Sequence, residues 1–155
     1  MVQLAFVVAS EAGSVWSDLI AKTSNSPYSH VELWLDGPQN AARCFSSREP
    51  LGASFMVRDL ATPEWEIVHL PPTLYHGSQL EDCMIEAYCQ GANGKEYDLL
   101  GLAGIGTGTG AHSDADVFCS EFVSGCLKFC LGIMLSKVPW MESPGMLYSD
   151  IKDTQ

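Results

Sequence analysis

Tyr28-Ser29-His30-Val31-Glu32-Leu33-Trp34-Leu35 is the stretch from which the fold is worked out. From Ser29 onward it alternates. Val31, Leu33 and Leu35 fall on one side, His30, Glu32 and Trp34 on the other, and Asp36-Gly37-Pro38 breaks the run. Successive side chains of an extended chain point to opposite faces, so the pattern predicts a strand with one apolar and one polar face. The break predicts a hairpin in which Ala42 to Ser47 returns as the partner strand. Ser54 to Arg58 and Trp65 to Leu70 read as further short strands, the latter stopped by Pro71-Pro72. Upstream, residues 3 to 9 read as a short buried strand, followed by a helix that Ser14 caps and that carries Val15, Trp16, Leu19 and Ile20. The first half of the chain is thus mainly antiparallel β.

Beyond residue 78 the period becomes helical. Leu80, Met84, Ala87 and Tyr88 share one face of a segment that Gly91 to Gly94 closes. A second helix, from about Val117 to Leu131 with Asp116 as its cap, carries Cys119, Phe122, Val123, Cys126 and Cys130 at i, i+3, i+4, i+7 and i+11. Between the two helices, residues 101 to 110 include five glycines and mark a loop. Gly106 to Ala111 fits G-x-G-x-x-A, but the strand before it and the helix and acidic residue after it that a dinucleotide site needs are missing. The tail from Pro139 reads as mostly irregular. These elements describe one α+β domain over residues 1–155, a small antiparallel sheet packed against helices.

Composition narrows the function classes. The 155 residues are 46% hydrophobic and 17% charged, enough apolar material for a single core and too little charge for a disordered chain. Eight basic residues against 19 acidic ones give a formal net charge of −11, which repels nucleic-acid phosphates and anionic lipid headgroups. Nucleic acid is therefore not an expected partner. No apolar run approaches the roughly 20 residues of a membrane span, and residues 1 onward lack the pattern of a signal peptide, so a cytoplasmic location is expected. In a reducing compartment the six cysteines, 44, 83, 89, 119, 126 and 130, are expected to be thiols. Their spacing matches no structural zinc site, and no metal or other cofactor is expected.

Cys119 has the best case for reactivity. It falls in the first turn of a predicted helix, where unpaired amides and the helix dipole favour a thiolate, and it follows a glycine-rich loop. Cys126 and Cys130 lie deeper in the same helix and read as small buried hydrophobes. A thiolate nucleophile needs an imidazole beside it. Of the four histidines, His30 is set apart by Glu32 on its own face and by Ser46 or Ser47 across the hairpin, any of which could hold the second ring nitrogen.

Three motifs in this order, Tyr28-Ser29-His30-Val31-Glu32-Leu33, Tyr97-Asp98-Leu99-Leu100-Gly101 and Phe118-Cys119-Ser120-Glu121-Phe122-Val123, resemble the circularly permuted NlpC/P60 cysteine hydrolases of papain-like fold, in particular the YiiX/YebB-like subgroup found in bacteria and phages. In that group the histidine strand precedes the cysteine helix, as here. The resemblance implies a permuted papain-like domain with Cys119 as nucleophile and His30 as general base and acid. It also implies a third polar residue on the strand after the histidine, which points to Ser46 or Ser47, whereas Glu32 is the stronger acceptor and is the preferred assignment. Tyr28 and Tyr97-Asp98 match positions that shape the substrate cleft. The implied substrate is a peptide amide of cell-wall type or a lipid acyl group. The rival reading is a binding or assembly module that kept the fold without the chemistry.

Overall fold

In the computed structural model, residues 2–12, 15–99, 101, 103, 107, 109, 112, 113 and 115–154 are described. Five strands form one sheet: β1 (Gln3–Val8), β2 (Tyr28–Asp36), β3 (Ala42–Arg48), β4 (Gly52–Arg58) and β5 (Trp65–His69). Their spatial order is β4-β3-β2-β1-β5, and every neighbouring pair is antiparallel. The helices are α1 (Ala9–Ala12), α2 (Val15–Ser24), α3 (Gln79–Ala92), α4 (Cys119–Leu131) and α5 (Pro144–Asp153), with 3-10 turns at Gln39–Ala41 and Pro139–Met141. The α+β architecture follows the sequence reading. The Ser14 cap and most of the glycine-rich segment, including much of the Gly106 to Ala111 motif, lie outside the described residues; Gly101, Ala103 and Thr107, described within it, are helical where the sequence predicts a loop.

Alternation in β2 decides which face meets the helices. Val31, Leu33 and Leu35 pack with Leu4 and Phe6 of β1 and Phe45 of β3 against Phe122, Val123, Cys126 and Leu127 of α4. Leu147 and Ile151 of α5 and Ile85 and Cys89 of α3 complete this core. On the opposite face a smaller cluster of Ala5, Ala42, Cys44 and Leu60 is flanked by Trp34, Met56, Trp65 and Ile67. The polar face of β2 is therefore not a solvated one: Glu32 is 0% exposed and His30 9%. Alternation reports which side a residue faces, not how deeply that side is covered.

A bulge at Val7/Val8 changes the phase at the start of β2. Val7 lies opposite His30, but Val8 lies opposite Tyr28, so Ser29 is the extra residue. Tyr28 consequently joins Phe6 in the helix-side core, while His30 stays on the other side. At the other end of β2, Gly37 turns at φ +87° and the Gln39–Ala41 turn leads into β3, so the expected hairpin forms.

Three helix expectations need correction. In α3 the buried residues are Ile85, Cys89 and Ala92, while Leu80 is 71% exposed and Met84 and Ala87 also face outward. The apolar stripe is rotated by one residue, because Ile85 and Cys89 seal the core. Arg43 fixes that rotation by bonding Glu86 of α3 at 2.9 Å while also pairing with Asp36. Next, α4 starts two residues later than expected. Phe118 is its N-cap position and Glu121 reaches back to the Phe118 amide at 3.4 Å, whereas Asp116 bonds Ser113. Finally, the tail is not irregular. Ser143 caps α5 by accepting from the Met146 amide at 3.2 Å, and Pro144 occupies its first turn, a start signal present in the sequence.

Candidate active site

The site forms where β2 and β3 diverge. Their register pairs Leu33 with Phe45 and Trp34 with Cys44. Beyond that point side chains make the bridges: the Ser46 hydroxyl donates to the Val31 carbonyl at 2.7 Å, and the Ser47 hydroxyl donates to the Val117 carbonyl at 2.5 Å. The second bond ties β3 to the chain entering α4. The N-terminus of α4 thus sits against β2, and the backbone amides of Val31 and Ser120 favour negative charge on the Cys119 sulfur. Ser46 and Cys119 therefore both engage Val31, one through its carbonyl and the other through its amide.

The His30 imidazole and the Cys119 sulfur lie close enough for each to set the charge of the other. The Nε2 atom of His30 lies 3.1 Å from Oε1 of Glu32, which leaves Nδ1 as the ring atom for the thiol. Glu32 also accepts from the Nε of Arg58 at 3.1 and 3.2 Å, and the Arg48 guanidinium lies 3.9 Å away. Of the three candidates for holding the ring, Glu32 is the one bonded to it; the hydroxyls of Ser46 and Ser47 are committed to backbone carbonyls.

Charge coupling within this group overrides burial. Burial alone pushes the Cys119 thiol up, but the His30 charge and hydrogen bond, followed by the two backbone amides, bring it below its ordinary value. Burial pushes the His30 imidazole down, yet Cys119 and then Glu32 raise it overall. Burial likewise opposes ionisation of Glu32, while His30 and then Arg58 hold its carboxyl below the usual range. Thiolate, imidazolium and carboxylate therefore stabilise one another as a row of alternating charge. Cys44, Cys89 and Cys126 differ. Burial pushes Cys44 and Cys89 up to about 12, and Cys126 is raised well above an ordinary thiol by its bond to Cys130, whose sulfur lies 4.0 Å away. Cys130 is only half-buried, contrary to its expected role as a core residue, and its pKa is lowered by the same bond. All six cysteines are thiols.

The two tyrosines part company. Tyr97 is half-buried, and its phenol is pushed up first by burial and then by the charge of Cys119, beside which it lies. It also borders an open groove of about 330 Å³ with Glu49, Leu51, Lys95 and Leu99. Tyr28 donates to Glu66 at 2.5 Å and stacks on Tyr148 at 4.2 Å between ring centroids. It lines a different groove, of about 590 Å³, to which neither His30 nor Cys119 contributes. The bulge at the start of β2 is the reason. Asp98 caps the helical residues that follow it: its carboxylate accepts from the Gly101 amide at 2.7 Å, and also from the Ser113 amide at 2.9 Å.

Arg58 is the member of this cluster that sequence reading does not find. It stands two strands from Glu32, and the shared face becomes visible only once the β2–β3–β4 register is known. Among the described residues, no group of three or more His, Cys, Asp or Glu side chains is arranged to hold a metal ion, and no helix is long and apolar enough to cross a membrane. The chain matches no known family model and no curated protein.

Proposed function

We propose that this protein is a cysteine hydrolase with a permuted papain-like fold, acting on a peptide amide or an acyl ester. The observation that carries the reading is the Cys119–His30–Glu32 row, a thiol at a helix N-terminus charge-coupled to an imidazole whose far nitrogen is held by a buried carboxylate. In the reaction the Cys119 thiolate attacks the carbonyl carbon, and the oxygen takes the negative charge. The first-turn amide of Cys119, for which the helix supplies no acceptor, is the natural donor to that oxygen. The C–N or C–O bond then breaks as the His30 imidazolium protonates the leaving group. Neutral His30 next deprotonates a water, which hydrolyses the thioester and regenerates the thiol. Order along the chain, His30 strand before Cys119 helix, supports the permuted arrangement.

The test has two parts. Incubation with activated acyl esters of short and long chain, followed by mass mapping, is expected to place a hydroxylamine-sensitive acyl group on Cys119 and to find none in Cys119→Ala or His30→Ala. In parallel, alkylation by iodoacetamide should be followed against pH, with the exposed thiol of Cys83 as reference. Cys119 labelling is expected to fall less steeply below pH 8 than that of an ordinary thiol, which slows about tenfold per unit. A Cys119 rate that falls in parallel with Cys83, with no acyl-enzyme, removes the hydrolase reading. One observation favours the binding-module alternative: the Cys119 residue is only 2% exposed.

A further inference from the structure

The Glu32 carboxylate has more cationic partners than an orienting group requires. Its Oε1 faces both the His30 Nε2 at 3.1 Å and the Arg58 Nε at 3.1 Å, while its Oε2 faces Arg58 at 3.2 Å. We propose that Arg58 is a positioning residue of the Cys119–His30 pair, acting through Glu32 by sharing its carboxylate with the imidazole and thereby setting the pH at which His30 gives up its proton. The inference rests on the hydrolase reading above and extends it to control of the same site.

A fully buried carboxylate with an imidazolium as its sole partner would hold the ring proton tightly, and such an acid transfers protons poorly near neutral pH. A guanidinium on the same oxygens draws off part of that charge. Strand register makes this reach possible, because Arg58 belongs to β4, lies opposite the small residue Ala42, and extends across β3 to the β2 carboxylate. Its outer nitrogen reaches the Met56 sulfur. The charged and titratable groups facing this row are Cys119 from α4, with Tyr97 beside it, Arg48 and Cys44 from β3, and Arg58 from β4. Arg48, at 3.9 Å and without a hydrogen bond, is the weaker cation.

The experiment follows the His30 ring resonances by NMR against pH in the full chain, alongside the Cys119 alkylation profile. Arg58→Gln is expected to raise the His30 midpoint by about one pH unit and to move the alkaline limb of hydrolysis upward by the same amount. Arg58→Lys, which keeps the charge, should stay within about 0.3 unit of the wild type, and Arg58→Gln in a Glu32→Gln background should move the midpoint by less than that. An unchanged His30 midpoint in folded Arg58→Gln, or an equal shift in both backgrounds, overturns the proposal. If Arg58→Gln fails to fold, Arg58→Gln/Glu32→Gln must fold, because removing the buried Glu32 carboxylate together with its half-buried partner removes the uncompensated charge; a double variant that stays unfolded also overturns it. The His30 midpoints are read without any hydrolysis, so they stand apart from the hydrolase reading, which fails separately if Cys119 is not singled out in the wild type.

Discussion

Glu32 answers to two masters, the imidazole it orients and the core in which it is buried. Replacing it with Gln is expected to lower the His30 pKa and to cut turnover by about 10- to 1000-fold, as the alternating charge row loses its end member. On the sequence pattern alone this substitution reads as nearly neutral for stability, since Glu32 sits on a polar strand face. Full burial beside Arg58 changes that expectation to a loss of about 1–3 kcal/mol, measurable by urea unfolding. The pH dependence supplies the check. A carboxyl whose folded pKa is depressed contributes stability above its unfolded value, near 4.5, and loses it as the pH falls through the folded value. The stability difference between Glu32→Gln and the wild type should therefore be full at pH 7 and shrink below about pH 4. At this scale the sequence singles out the three groups that the fold brings together, because thiol, imidazole and carboxylate are chemically distinctive. It misses Arg58, whose role depends on strand register.

At the scale of the element, the start of α4 is held by a chain of contacts that passes through one glycine. Asp98 bonds the Gly101 amide, and a methyl group at residue 101 would meet the Asp98 carboxylate at 2.3 Å and the Phe118 ring at 2.8 Å. Phe118 occupies the N-cap of α4 and immediately precedes Cys119. Gly101→Ala is therefore expected to cost about 1–3 kcal/mol in stability and to slow Cys119 alkylation several-fold while leaving Cys83 unchanged. An unaltered Cys119 rate would show that Phe118 can shift without moving the thiol. Legibility is uneven here too. β2 and β3 are readable because the alternation is strong and a turn separates them. The buried side of α3 is not, because both its faces carry apolar residues, and rotation is decided by Arg43–Glu86 and by the shape of the core. The final helix hides behind Pro139 and Pro144, although proline in a first turn favours a helix.

Taken as a whole, the molecule is poised toward the acidic side of neutrality. Burial pushes the carboxyls of Glu121 and Glu142 up to about 7, and both oxygens of Glu142 are buried with no partner at hydrogen-bonding distance among the described residues. For such a group the folded state keeps its proton after the unfolded chain has lost it, so stability falls as pH rises from about 4.5 and levels off above about 7. The raised His30 adds to the trend, since its contribution is complete below about 6.5 and is lost as pH climbs through the folded value. Glu142→Gln is expected to raise Tm at pH 8 by several degrees and to change it little at pH 5, flattening the profile read by thermal unfolding. Equal effects at both values would locate the role of Glu142 in packing rather than ionisation. The placing of β1 between β2 and β5 bears on how the chain assembles. The β2–β3–β4 meander needs only neighbouring segments, whereas the β1–β5 ladder joins Val7 to Trp65 and Gln3 to His69. Closing so long a loop carries a larger entropic barrier than closing a hairpin. The meander is thus the natural nucleus, and it already contains His30, Glu32, Arg48 and Arg58. On that order His30 and the charges around it come together before the thiol, which a later segment of the chain brings to them.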